Sequence, residues 1–193
     1  EKEVCLAVRE HYLPLGPESK LPKKFYSLAL SFSDKLDTLV GFFGIGLKPT
    51  SSRDPFALRR SALGLIRLII ENNKNFNLKE LINYSCTLYD EQGTKFNQKE
   101  INKDLNIFFI DRVKNYMKEK YIRPDIIESA VSSYGIENIL KIFKKSITLN
   151  KLINKNVGED VMFSYKRASN ILNYELKDKS IELSNSTDPV LFN

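Results

Sequence analysis

Apolar residues recur at three- and four-residue steps along most of the chain, a period that predicts helices rather than strands. Residues 1–13 read as the end of a helix, with "REHYLP" leaving it at Pro14 and a Gly-, Pro- and Lys-rich loop after it. A helix is predicted from Phe25 to Phe43, with Leu28, Phe32, Leu36, Leu39 and Val40 inward. Another is predicted from Pro55 to Asn72, with Asp54 as its cap. "NLKELINYSCTLYD" predicts a further helix, capped by Asn77, with Leu78, Leu81, Ile82 and Leu88 on its apolar side. "EQGTKFNQKEINKD" breaks the pattern, which places an expected domain boundary near residues 90–102. Beyond it, "LNIFFIDRVKNYMKEKY" buries Leu105, Phe108, Phe109, Val113, Tyr116 and Met117 and exposes Arg112, Lys114, Lys118 and Lys120. Pro124 opens the next helix and Gly135 ends it. "IENILKIFKKSITLNKLIN" continues as a long amphipathic helix, and "EDVMFSYKRASNILNYEL" starts another. The tail "ELSNSTDPVLFN" is turn-like. The expected fold class is therefore all-α.

Composition narrows the class. The chain has 193 residues, 42% hydrophobic and 28% charged, which suits a globular protein with a real core. No apolar run has the length of a membrane span, so no membrane association is expected. The first residue is Glu1, already inside a helical pattern, and the expectation is a fragment of a longer protein. Cys5 and Cys86 form no CxxC pair and suit reduced thiols in a cytosolic protein. The net charge of +6 is unevenly placed. Residues 95–167 hold fifteen Lys/Arg against nine Asp/Glu, whereas residues 168–193 hold two against four. A basic segment of this kind points to a polyanion or to a solvated lysine-rich surface.

Candidate chemistry is sparse. "GFFGIGLKPT" approaches a phosphate-binding loop, but Leu47 stands where the lysine belongs and Pro49 removes a backbone donor. No nucleotide is expected there. His11 is the sole histidine, so a nucleophilic triad or a metal centre would have to use it. Asp34 and Asp37 lie three apart on one helix face. Ala57, Arg60, Gly64, Arg67 and Glu71 form a stripe of small and charged residues. Its arginines are expected to join helices, with Asp34 and Asp37 as partners. In "YKRASNIL", Lys166 and Arg167 read as a dibasic pair near a helix start, with Ala168, Ile171 and Leu172 continuing inward. Positive charge opposes the helix dipole there, which makes the pair a candidate for an external anion.

"DKLDTLVGFFGIGLKPTSSRDPFALRR" resembles the signature of the glycyl-tRNA synthetase beta-subunit family. "REHYLP" and "YKRASNIL" fit the same family in the same order. "FFIDRVKNYMKEKYIRPDIIESAVS" is similar to the start of its C-terminal anticodon-binding domain, the type named for an Asp-Ala-Leu-Arg motif.

The resemblance implies residues 1–92 as the C-terminal part of a helical domain like the HD phosphohydrolases. It implies residues 93–193 as a truncated anticodon-binding-like helical domain. In the HD fold an aspartate of an "ADKL"-like helix is a metal ligand. Asp34 in "SDKL" matches it and His11 matches an upstream histidine. The family is degenerate at its His-Asp dyad, so both positions are expected to be vestigial, with no catalytic residue, metal or cofactor here. The resemblance further implies an α2β2 assembly in the cytoplasm. Its alpha subunit activates glycine with ATP and Mg, and its beta subunit binds tRNA(Gly). The tRNA-binding candidates are Arg112, Lys118, Arg123, Lys144, Lys166 and Arg167, with Tyr116, Tyr121 or Tyr165 for base stacking. The alternatives are a purely structural helical docking module and an HD-type metal phosphohydrolase.

Overall fold

The computed structural model describes residues 1–154 and 156–178; the turn-like tail predicted over 182–193 lies outside them. Among the described residues the chain is all α, as the periodicity predicts, with eight α-helices and no strand. The helices are α1 Lys2–Glu10, α2 Phe25–Gly44, α3 Leu58–Glu71, α4 Leu78–Glu91, α5 Gln98–Glu119, α6 Pro124–Tyr134, α7 Ile139–Ile153 and α8 Asn156–Asp178. A 3-10 turn, Gly135–Asn138, joins α6 to α7.

Two compact units result. The first runs from Glu1 to Asn150 and the second begins at Lys151. In the first, α2 packs against α1, α3, α4 and α5, and α5 also meets α3, α4 and α6. Most of the residues that the periodicity selects form the core, but Leu81 and Phe108 are half-buried and Leu88 is exposed. Leu39, Val40, Leu65, Leu78, Ile82, Leu105, Phe109 and Met117 are essentially without exposure. Each such side chain contributes about 1.5–3 kcal/mol by leaving water.

Three element starts follow from side chains that cap backbone N–H groups. Asn77 accepts from the Glu80 N–H and donates to its carboxylate at 2.7 Å, closing the start of α4 as predicted. Asn97 makes the same arrangement with Glu100. α5 therefore begins at Gln98, inside the stretch that reads as polar linker, and its Ile101 and Leu105 reach the core. The polar connection accordingly lies inside the first compact unit. α3 begins at Leu58 rather than Pro55. Asp54 still caps it, accepting from the N–H groups of Leu58 at 2.8 Å and Arg59 at 2.9 Å, while Ala57 takes a left-handed conformation.

The glycines of "GFFGIG" serve packing. A Cβ on Gly44 would stand about 2.5 Å from the Phe96 ring, and one on Gly41 would stand 2.6 Å from the Tyr89 hydroxyl. These two aromatic rings pack together at 4.8 Å and seat the end of α2 against the α4–α5 connection. Gly46, at φ +77°, supplies the left-handed turn out of α2.

Candidate functional site

The loop after α2 has its lysine committed elsewhere. Lys48 is bound to Asp104 and, at 3.2 Å, to Glu100, both on α5, and these bonds raise its pKa. Its charge closes the α2–α3 loop onto α5.

His11 and Asp34 face different neighbours. His11 follows the last turn of α1, with Nδ1 2.5 Å from the Val8 carbonyl. Its own carbonyl accepts from Lys35 Nζ at 3.2 Å, and that of Tyr12 accepts at 3.1 Å. Lys35 is buried, and burial lowers its pKa. Asp34 is the adjacent residue on α2 and so points about 100° away. With Asp37 it lines an apolar cavity of about 780 Å³ between α2 and α4, alongside Phe25, Phe32, Leu81 and Leu88. No hydrogen bond or ion pair joins His11 to Asp34 among the described residues. None of their groups of three or more His, Cys, Asp or Glu could hold a metal ion.

The stripe on α3 has other partners than the expected ones. Asp34 and Asp37 do not reach it. Buried Arg67 instead donates to Glu71 at 2.7 and 3.3 Å, to the Gly16 carbonyl at 2.6 Å and to the Ser19 carbonyl at 2.9 Å. It fastens α3 to the loop after α1. Gly64 leaves room for the Lys35 stem and Pro14. Arg60 is exposed and has no ion-pair partner among the described residues.

The six basic candidates divide by what they already bind. Arg112 pairs with Asp111 and lies 5.5 Å from the Phe108 ring centroid. Arg123 holds Asp125 at 2.7 Å, which pulls that carboxylate below its ordinary pKa. Lys118 on α5, Lys144 on α7, and Lys166 and Arg167 on α8 are exposed, with no ion-pair partner among the described residues. Charges of this kind are available to an external anion without breaking an existing pair.

α8 differs from the expectation in two ways. It starts at Asn156, so Lys166 and Arg167 sit mid-helix, beyond the first turn where the dipole acts. The helix dipole therefore does not act on the pair. Ala168, Ile171 and Leu172 are exposed rather than inward. At 100° per residue, Phe163, Arg167 and Tyr174 fall on one stripe, with Val161, Tyr165, Ala168 and Leu172 on another. Phe163, Tyr165 and Tyr174 are each about 70% exposed. Phe163 and Tyr174 are not among the candidates expected from the sequence. Spacings of four and seven residues around Arg167 are the signal that finds them.

Of the stacking candidates, Tyr121 is exposed but Tyr116 is buried. The Tyr116 hydroxyl lies 3.4 Å from Glu71, and burial with that carboxylate pushes its pKa to about 12. It serves the core and presents no face for stacking. A raised folded-state pKa gives stability that is present below pH 10 and lost as pH rises from 10 through 12. The loss is expected to be at most about 3 kcal/mol. Tyr89 titrates in the same sense. Lys35 opposes both, gaining stability as pH rises from its lowered value to 10.5. Urea midpoints between pH 9 and 12 should thus fall less steeply in Tyr116→Phe than in the parent protein. Identical slopes would contradict the assignment.

Comparison with known proteins adds the family. Residues 1–132 match the family described as "Glycyl-tRNA synthetase beta subunit". The glycine–tRNA ligase beta subunit of Cereibacter sphaeroides is 36% identical over 186 residues, covering 96% of this chain and 27% of that protein. Those of Rhodospirillum centenum and Rickettsia canadensis are 37% and 41% identical, covering 94% and 89% of this chain and 25% of each relative. The chain thus spans about a quarter of the length of these relatives.

Proposed function

Because the chain belongs to the glycyl-tRNA synthetase beta-subunit family, we propose that it is the tRNA-binding part of a two-subunit glycine–tRNA ligase. In this reading it works beside an alpha subunit that activates glycine with ATP and Mg. This chain carries no catalytic residue; it holds tRNA(Gly) for the partner site.

One observation carries the reading: the exposed stripe Phe163, Arg167 and Tyr174 on α8, with Lys166 beside it. Unpaired anticodon bases present flat faces and flexible phosphates. Exposed aromatic rings stack on the first and cations meet the second. Lys118 and Lys144 extend the available charge within the first unit. The division into an HD-like part, residues 1–92, and an anticodon-binding-like part, residues 93–193, belongs to the same proposal. His11 and Asp34 are then remnants of a scaffold that no longer binds metal.

A second reading is a docking module for the alpha subunit or the rest of beta. The exposed Val161, Met162, Ile171 and Leu172 of α8 favour it.

The double substitution Lys166→Ala with Arg167→Ala, in full-length beta with alpha present, separates the two. Removing a cation that neutralises one phosphate should flatten the log–log salt dependence of tRNA binding by roughly 0.7 to 0.9. Affinity should fall by about 1–3 kcal/mol per charged hydrogen bond. Glycine activation should persist. Unchanged tRNA affinity and slope with weakened subunit association would favour docking.

A further inference from the structure

Three arginines that the sequence distributes over two helices meet at one cleft of the first unit. Arg59 and Arg60 come from the first turn of α3, and Arg112 comes from the middle of α5. Gly16 and Pro17 of the loop after α1 supply the facing wall. The cleft holds about 270 Å³ and ends on Leu63 and Tyr116.

The charges in it are only partly answered. Arg59 donates to the Thr50 carbonyl and stands 3.9 Å from Asp54. Arg112 binds Asp111 with one terminal nitrogen, while its Nε is buried with no hydrogen-bond partner. Arg60 has no ion-pair partner among the described residues. Glu119 also lines the cleft and offsets part of the charge. A desolvated N–H without an acceptor is costly, and so is the convergence of like charges. An anion in the cleft offsets the converging charge. Guanidinium groups suit a phosphate because their planar forks donate two parallel bonds.

The lining also says which phosphate. Its one aromatic ring, Tyr116, is buried and offers no open face for a base. Asn115 is the one other neutral polar side chain in the lining, and the three arginines outweigh it, so the feature read is the charged backbone. We propose that this cleft takes a phosphodiester group of the bound tRNA, at a site separate from the α8 stripe. The proposal rests on the tRNA-binding reading above and adds a second anchoring point, one that lies in the first unit.

The test is tRNA binding against salt concentration by full-length beta with alpha. Arg60→Ala removes an exposed side chain and should leave thermal unfolding unchanged. It should weaken tRNA binding about tenfold and flatten the log–log slope by roughly 0.7 to 0.9. Arg112→Lys keeps the charge but loses the fork. It should weaken binding several-fold at nearly constant slope. Parent-like affinity and slope in both variants, with Lys166→Ala/Arg167→Ala still impaired, would overturn the cleft and leave the wider reading intact. If Arg60→Ala instead released the alpha subunit without affecting tRNA, the cleft would hold a protein carboxylate and the proposal would fail. No loss of tRNA binding in any of the three variants would remove the reading on which the proposal rests.

Discussion

Arg67→Ala is expected to destabilise the first unit by about 3 kcal/mol, because two loop carbonyls each lose a hydrogen bond from a charged donor, worth about 1.5 kcal/mol or more apiece. Natural domains are stable by only about 5–15 kcal/mol, so the variant should approach unfolding at ordinary temperature. The size follows from how much one side chain satisfies. Arg67 is 6% exposed and answers the Glu71 carboxylate and the carbonyls of Gly16 and Ser19 together. Without it, two loop carbonyls lose their donor and Glu71 keeps a charge beside the Tyr116 hydroxyl. Arg67→Lys should recover little, because a single ammonium cannot donate in three directions from that position. The loop should also loosen. Limited trypsin digestion is expected to cut faster at Lys20, Lys23 and Lys24 in the variant, while urea unfolding reports the loss of stability. A loss under about 1 kcal/mol with unchanged digestion would show that Arg67 is not the fastener described.

Phe109→Ala should cost about 3–5 kcal/mol, and its reach matters as much as its size. Phe109 has no exposed surface and lies on α5, which packs against α2, α3 and α4. The cavity should lower hydrogen-exchange protection in α2 and α3 as well as in α5, because the unit from Glu1 to Asn150 shares one core. Protection lost only from α5 onward would mean that residues before and after the 90–102 stretch open independently.

That stretch shows where sequence reading ends. Asn77 and Asn97 sit in the same local pattern, each followed three residues later by a glutamate. The first reads as a cap and the second passes for linker, because Gly93 and the lysines around it mask the helical period. Local signals suffice for α2, α4, α6 and the apolar faces of α3 and α5. Partners distant in sequence are not legible. Lys48 meets Glu100 and Asp104 across more than fifty residues, and two of the four bonds of Arg67 go to distant carbonyls, which every residue owns. Arg59, Arg60 and Arg112 meet only after α3 packs on α5. One pattern suits Tyr116 to both core and surface, and only its burial decides. On α8 the helix is legible, but the apparent start falls too late for Lys166 and Arg167 to read as mid-helix residues.

The central claim is that this basic helical chain touches tRNA. The most direct measurement is the position of tRNA(Gly) in a structure of the complete alpha–beta complex. The account predicts tRNA phosphates within hydrogen-bonding reach of Lys166 or Arg167, and unstacked bases against Phe163 or Tyr174. A complex in which tRNA passes elsewhere, and α8 is covered by protein from the alpha subunit or from the rest of beta, would contradict it.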